Sequence, residues 1–491
     1  MMKRSVIPCI VFLFVLSSHL SAQERTITLQ EAVQLAQQHS FEYKVAVNSY
    51  QSSVWSYRNY IASFRPMLYL DGTVPNYSRA ISKITLPTGE DTFVLQNQAY
   101  STLNLGIRQN VALTGGVVSV SSSLNRIDVF GNNRQIRYSS VPASISYYQN
   151  AIGYNPFKWQ KEIEPLRFES ADRAFVTRME EIGGQTVRHY FDMLAAQARQ
   201  ELSRQNLAKA DTLHGITRER FKLGTVAQSE LLQLRLNVLN AQNQVTKDSV
   251  DAVLARQRFA RYLLLPAGQD WQLAVPEEVR FMDIPLDQAL LHAQANSQQV
   301  IDFRLQRLEA EQQVAEARAQ NGLKFNVQAN FGLSNTAPTF PSLFNQMENQ
   351  QHVLVGFSVP ILDWGLAKTQ RLRAEANLAM VESQIEQGEM QLEQEIALHT
   401  ARWNLHWQQL AVAQETRDIA IRNYDLEIER FLRGTITIND LNAAQAQKDS
   451  ASNGYISAVR TYWELYYTLR QLTLFDFERN AEITFQTDMI K

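Results

Sequence analysis

Cysteine is almost missing from this chain of 491 residues; the only one is Cys9. With a single thiol so close to the start, disulfides and thiolate metal sites are excluded from the body of the protein. Strong charge is missing too. The formal net charge is −2, so there is no basic footprint of the kind that binds nucleic acid. Outside the first residues there is no apolar run of about 18 residues, which excludes a membrane-spanning helix. The HExxH, GxxxxGK[ST] and GxSxG signatures and the EF-hand loop are also absent. No catalytic residue, cofactor-binding residue, cofactor or metal site is therefore expected, and the chain reads as no enzyme. His399 and His406 lie seven residues apart on one helix face, a pair better suited to packing than to holding a metal. Proline is the most informative absence. None occurs between Pro165 and Pro266, and none after Pro360, so very long helices are permitted there.

The start, MMKRSVIPCIVFLFVLSSHLSAQ, has a short basic opening at Lys3 and Arg4. An apolar run from Val6 to Leu16 follows, then small residues. This is the pattern of a secretory signal peptide, expected to cover residues 1–22 with cleavage after Ala22. Cys9 lies inside it, early and after Pro8, which argues against lipoprotein acylation. An exported chain without a spanning helix is either periplasmic or a β-barrel.

Helices are expected near 29–64, 157–222, 229–264, 285–321, 364–432 and 439–475. After Glu230 the apolar residues fall in two interleaved series, Leu231, Val238, Val245, Ala252, Phe259 and Leu234, Ala241, Asp248, Ala255, Tyr262. Only Asp248 breaks this heptad seam, the signature of coiled-coil packing. The last helix repeats the pattern from Leu441 and Ala444, and only Lys448 interrupts it. Gly183-Gly184 sits inside the first long helix as a candidate bend.

Between the helices the chain becomes strand-like around 67–80, 99–125 and 138–152. LNLGIRQNV, VVSVSSSLN and VPASISYYQ alternate, and FNVQANFGLS and HVLVGFSVPI repeat the look in the second half. Strands of this kind with one apolar face have the size of those that cross a membrane in a barrel.

The chain also repeats itself. ERFKLGT from Glu219 returns as ERFLRGT from Glu429, and ITLQEAVQLAQQHS from Ile27 as IPLDQALLHAQANS from Ile284. These anchors define a tandem duplication, with repeats expected at 23–265 and 266–475 and a tail at 476–491. The first repeat holds the extra segment QNVALTGGVVSVSS, read as an added hairpin turning at Gly115-Gly116. At the tip turns, Gly224 and Gly434 suit the left-handed end of a helix. Thr225 or Ser229, and Thr435 or Asn439, are candidate caps of the returning helices. Glu230 and Asp440 sit near those helix starts, where the dipole favours acid.

RFKLGTVAQSEL and RFLRGTITINDL at the tips, SVPILDWGLAKTQRLRAEANL at a strand-helix junction, its counterpart YQNAIGYNPFKWQKEIEPL, and the duplication itself resemble the TolC-like outer membrane efflux family. The added hairpin resembles the branch of that family found in Bacteroidetes-type bacteria. The resemblance implies a mainly α fold with membrane β-strands: a long coiled-coil α-helical barrel in the periplasm and a transmembrane β-barrel shared by a homotrimer. It implies an outer-membrane location and a passive channel-tunnel. Its helical tips would dock on a periplasmic adaptor (membrane fusion protein), which links it to an inner-membrane pump for efflux of small molecules. Two strands per half would give a trimer about 12 strands; the added hairpin either raises this to about 18 or folds outside the wall.

The resemblance also places a gate and docking surface at Gly224, Thr225, Glu230, Phe431, Gly434, Thr435, Ile436 and Asp440. Glu230 and Asp440 match acidic positions of the family's tip. Phe431 stands where tyrosine is frequent, Ile436 where a basic partner is expected, and Ala443 where a second acidic ring is expected. Apolar closure by Phe431, Leu432 and Ile436 is the expected substitute. Tyr147, Tyr148, Tyr154, Phe157, Trp159 and Trp364 fall where the barrel meets the periplasm. They serve either as an interfacial belt or as packing at that seam. Two other functions fit the residues: the outer channel of a type I protein-secretion system, and, from another class, a periplasmic coiled-coil scaffold without a barrel.

Overall fold

Both proline-free stretches are helical. The computed structural model describes residues 25–131, 134–150, 154–266, 271–276, 280, 282–320 and 323–485. The expected signal peptide lies outside them. In chain order the elements are β1 (Arg25–Ile27), α1 (Leu29–His39), α2 (Phe41–Ser63), β2 (Met67–Thr85), β3 (Asp91–Val111), β4 (Gly116–Val129), β5 (Gln135–Asn150), α3 (Pro156–Lys222), α4 (Gln228–Tyr262), β6 (Trp271–Leu273), α5 (Leu286–Asn296), α6 (Gln298–Gln320), β7 (Lys324–Ala337), β8 (Glu348–Ser358), α7 (Leu366–Arg433), α8 (Ile438–Thr473), β9 (Phe475–Asp476) and β10 (Ala481–Glu482). A 3₁₀ turn covers Pro341–Phe344. The two expected single helices at 29–64 and 285–321 are each broken once, at Ser40 and Ser297.

The chain divides into two compact units, the first built from residues up to 45, 179–284 and 399–471, the second from 46–178, 285–398 and 472 onward. In the first unit, α4 buries Leu234, Val238, Asp248, Ala252 and Phe259, all members of the expected seam. On α8 the seam holds at Leu441, Ala444 and Lys448, shifts by one residue in the middle, and holds again at Tyr462, Leu465 and Leu469. Ile456 and Val459 are buried in place of Tyr455 and Ala458. At Gly183 a Cβ would overlap the ring of Tyr467, so the glycine lets α8 approach α3 closely. β1 and β6 form a parallel pair, and the hydroxyl of Tyr190 lies 3.0 Å from the Ile27 carbonyl and 2.6 Å from that of Ala274.

The second unit holds the sheet. Six antiparallel strands are hydrogen-bonded in the order β2-β3-β4-β5-β7-β8. β3 and β4 are the added hairpin, with a turn at Gly115 (φ 79°) as expected. They pair residue for residue from Gln98↔Val129 to Val111↔Gly116 and stand between β2 and β5, so the hairpin is part of the wall. The strand-like stretch over 99–125 falls on the two arms of that hairpin. Beneath the sheet, Tyr57 stacks on Phe168 at 4.8 Å, and Phe64 meets Phe157 edge to face at 5.4 Å.

Candidate channel gate and membrane wall

The recurring heptapeptide closes two equivalent turns. In the first, the Gly224 N–H donates to the Phe221 carbonyl at 2.9 Å. Both the N–H and the hydroxyl of Thr225 donate to the Arg220 carbonyl, at 3.1 and 2.9 Å. In the second, Gly434 donates to Phe431 at 2.9 Å, and Thr435 donates twice to Arg430, both at 3.0 Å. The glycines sit at φ 72° and 77°, a region that side chains with a Cβ avoid. Glycine and threonine thus recur because the turn needs a positive φ and the last carbonyls of each long helix need donors, whereas the arginine and phenylalanine contribute only main-chain carbonyls here.

Three expectations change here. Thr225 and Thr435 end the outgoing helices and do not cap the returning ones. The first residue before α4 is Ala227, which makes no side-chain cap, so Ser229 is not the cap either. Ahead of α8 the cap is Thr437, not Asn439. Asp440 Oδ2 accepts from the Thr437 N–H at 2.9 Å and from its hydroxyl at 2.8 Å, while the Asp440 N–H donates back to Thr437 Oγ1 at 3.3 Å. These bonds hold the Asp440 carboxyl below the usual aspartate range. Glu230 lies half-buried in the first turn of α4.

Phe431 is not a free plug. It is 2% exposed, within a cluster of Leu213, Leu234, Tyr424, Ile438, Leu441 and Ala444, and Ile428 and Ile436 pack against that cluster. Its counterpart Phe221 is 38% exposed. Leu432 alone of the three expected closing residues is exposed. The two turns also touch, since Arg220 Nη1 lies 3.4 Å from the Leu432 carbonyl. Elsewhere at the tip the charges pair along their own helices: Glu219 with Lys222 at 2.9 Å, Glu427 with Arg430 at 2.8 Å, Glu429 with Arg433 at 3.1 Å.

The two seam-breaking residues are buried among polar partners. Asp248 accepts from Gln244 at 3.0 Å. Lys448 is 5% exposed; it donates to Asn206 Oδ1 at 3.0 Å, lies 3.3 Å from Asp449 and sits 4.5 Å above the Tyr424 ring. Asn206 in turn donates to Asp449 Oδ2 at 2.8 Å. Burial lowers the Lys448 amine below the usual lysine range. Asn206, Gln244, Asp248 and Asp449 line a cavity of about 470 Å³ together with Leu213, Leu234 and Leu441. Of the two histidines, His406 is buried, and its Nε2 lies 2.7 Å from the Ala458 carbonyl.

In the second unit the sheet register sorts the side chains onto two faces. Leu103, Leu105 and Ile107 of β3 stand opposite Leu124, Ser122 and Val120 of β4. Val120 and Val118 stand opposite Ile145 and Tyr147 of β5, and these opposite Phe331 and Ala329 of β7. Ala329, Val327 and Phe325 stand opposite Val353, Val355 and Phe357 of β8. The other face carries Ser119, Ser121, Ser123 and Asn125, then Ser144 and Ser146, then Asn326, Gln328 and Asn330. An apolar face without a covering layer, backed by a polar face that also carries Asp71, Arg108 and Lys324, is the pattern of a wall between lipid and water.

All strand ends that join helices lie at one end of this sheet. The turn at Gly115 is at that end too, where Asn155 donates to the carbonyls of Ala112 and Leu113 at 2.8 and 3.2 Å. The junction aromatics differ in their surroundings. Tyr147 lies on the apolar face and Tyr148 on the polar one. Tyr154 accepts from Gln312 at 3.0 Å, and Phe157 packs on Phe64. Trp159 is half-buried, whereas Trp364 is 90% exposed.

Residues 289–473 match the family model of the outer membrane efflux protein. The chain carries that domain on the TolC-like fold. The outer membrane channel CmeC of Campylobacter jejuni matches with a TM-score of 0.65 at 16% identity, over 94% of this chain and 88% of that one. The outer membrane protein VceC of Vibrio cholerae matches with 0.63 at 15%, over 93% and 97%. The open state of the MtrE outer membrane channel of Neisseria gonorrhoeae matches with 0.62 at 15%, over 93% and 91%. A search of curated protein sequences finds no match. Outer membrane efflux proteins are passive channels rather than enzymes. The solved structures share the fold with this chain, and they are themselves those of outer membrane channels and an outer membrane protein.

Proposed function

We propose that three copies of this chain form the exit duct of a tripartite efflux system, passing small molecules outward across the outer membrane. In this reading the repeats 23–265 and 266–475 each give the duct one helical hairpin and part of the wall. The tip turns dock on a periplasmic adaptor, itself held by an inner-membrane pump. The single observation that carries the reading is the sheet. One chain presents an uncovered apolar face and two edge strands, and lipid tolerates no open sheet edge, so closure needs further copies.

At the tip, Leu432 is the exposed apolar candidate for a closing contact between copies. Gly224, Thr225, Gly434, Thr435 and Asp440 build the turns that present it, while Phe431 and Ile436 hold it from behind. The polar inner face of the sheet suits a water-filled duct, and in this reading selection falls to the pump.

The test is planar-bilayer conductance of the detergent-extracted protein after its mass is shown to be that of a trimer. Discrete small steps, enlarged in Leu432→Ser, are expected. A protein that stays soluble without detergent and inserts into no bilayer would overturn the reading.

A further inference from the structure

We propose that the barrel wall has about 18 strands, six from each of three chains, closed where β2 of one copy pairs with β8 of the next. This rests on the trimeric reading above and adds to it the size of the wall and the seam that closes it.

Three observations carry it. First, the added hairpin β3-β4 is not a flap. Its ladder runs from Gln98↔Val129 to Val111↔Gly116, and each of its strands is also bonded to an outer neighbour, β2 or β5. β2 would otherwise meet β5 directly, as β7 meets β8. Second, the hairpin carries the same two faces as the rest of the sheet. Leu103, Leu105, Ile107, Val118 and Val120 continue the apolar face across it, and the serines of β4 continue the polar one. A hairpin folded outside the wall would have no reason to keep that period. Third, the count is even. β2 leaves its helix and β8 returns to one, so the two edges of the sheet run in opposite directions. A neighbouring copy therefore presents an antiparallel partner, which continues the ladder in the sense of every pair already present.

The edge residues fit that seam. Leu70 on β2 is 65% exposed and Val355 on β8 is 61% exposed, both on the apolar face. Such exposure is expected of strands that lack a neighbour on one side. The occupant of each edge is thus a second copy of this chain.

Barrel diameter grows roughly in proportion to strand number, and barrels of about 16–18 strands enclose water rather than side chains. With strands about 4.8 Å apart and tilted about 40°, the wall measures about 36 Å across between backbones. The constriction of the duct then lies elsewhere than in the membrane.

The test uses the detergent-extracted full-length protein. Its only native cysteine, Cys9, lies in the expected leader, so introduced pairs report without background. Leu70→Cys is combined in turn with Val353→Cys, Val355→Cys and Phe357→Cys, oxidised, and run without reductant. One register is expected to shift the band to two and three chain masses and no further, and neither single variant to do so. A second pair, Leu70→Cys with Tyr147→Cys, is expected to stay unlinked, because two strands lie between them. A trimer by mass that links at no β2-β8 register overturns the seam. A disulfide within one chain between positions 70 and 147 puts the hairpin outside the wall and overturns the count. A monomer by mass overturns the trimeric reading itself, and this inference with it.

Discussion

Phe431→Ala separates two ideas of how the tip works. If Phe431 plugs the duct, its removal changes conductance and leaves the turn intact. The geometry says otherwise, because the ring is 2% exposed among Leu213, Leu234, Tyr424, Ile438 and Leu441. Truncating a buried phenylalanine costs about 3–5 kcal/mol, as lost burial plus the cavity left behind. At about 1.4 kcal/mol per tenfold, that lowers the protection of amides near 428–441 by roughly 100- to 5,000-fold in native-state hydrogen exchange. The duplication supplies the control. Phe221 occupies the same place in the same heptapeptide but is 38% exposed. Its truncation forfeits only part of the burial term, about 1 kcal/mol or roughly fivefold in protection. Equal losses in the two variants would refute the burial argument. Unchanged protection in Phe431→Ala, with enlarged conductance, would restore the plug.

Three other outcomes follow from the same structure. Burial lowers the folded-state value of Lys448 below the 10.5 of a free lysine, so the unfolded chain binds more protons between those values and stability rises with pH in that window. The thermal midpoint of the native chain should climb from neutral pH toward pH 10.5 more steeply than that of Lys448→Met; equal slopes would refute it. Asp440 is held below its free value of 3.8 by its bonds from Thr437, so its contribution is present above pH 3.8 and lost as pH falls through the folded value. Hydrogen exchange at the start of α8 should show that acid loss in the native chain and not in Asp440→Asn. On β4, Val120→Arg places a cation on the apolar face, at a cost of about 2–4 kcal/mol near mid-bilayer, whereas Ser121→Arg faces the other way. The first should deplete the outer-membrane fraction of assembled protein and the second should not.

The helices were legible because two physical signals agree in them: no proline over long stretches, and an apolar period near seven. The strands were harder. Their period of two is short, and the outer parts of β2 and β3, Arg79–Thr85 against Asp91–Asn97, pair only with each other. With no covered face they carry no selected alternation, so the sequence marks them poorly. The turns were placed by glycine but not by their hydroxyls. Thr225, Ser229, Thr435, Thr437 and Asn439 all lie within reach of a helix end, and only the path of the chain decides which carbonyl or N–H each one meets. Phe221 and Phe431 stand in nearly the same local sequence. Their difference in burial comes from what the other helices bring to each, which no heptapeptide records. The polar group around Lys448 was visible only as a flaw in a seam; Asn206, 242 residues away, supplies the reason for it.

Each tip turn finishes its own main-chain bonding. Glycine and threonine return to the phenylalanine and arginine carbonyls just behind them, and nothing from another element is needed to complete that knot. A turn of this kind travels as a rigid bead on the end of its hairpin. Moving it aside breaks side-chain contacts and leaves the backbone as it was. If the tip is the gate of the duct proposed above, the ease of opening is set by side chains such as Leu432 and Arg220, which can change without unmaking the turn. A duct built this way can keep one frame and change its latch.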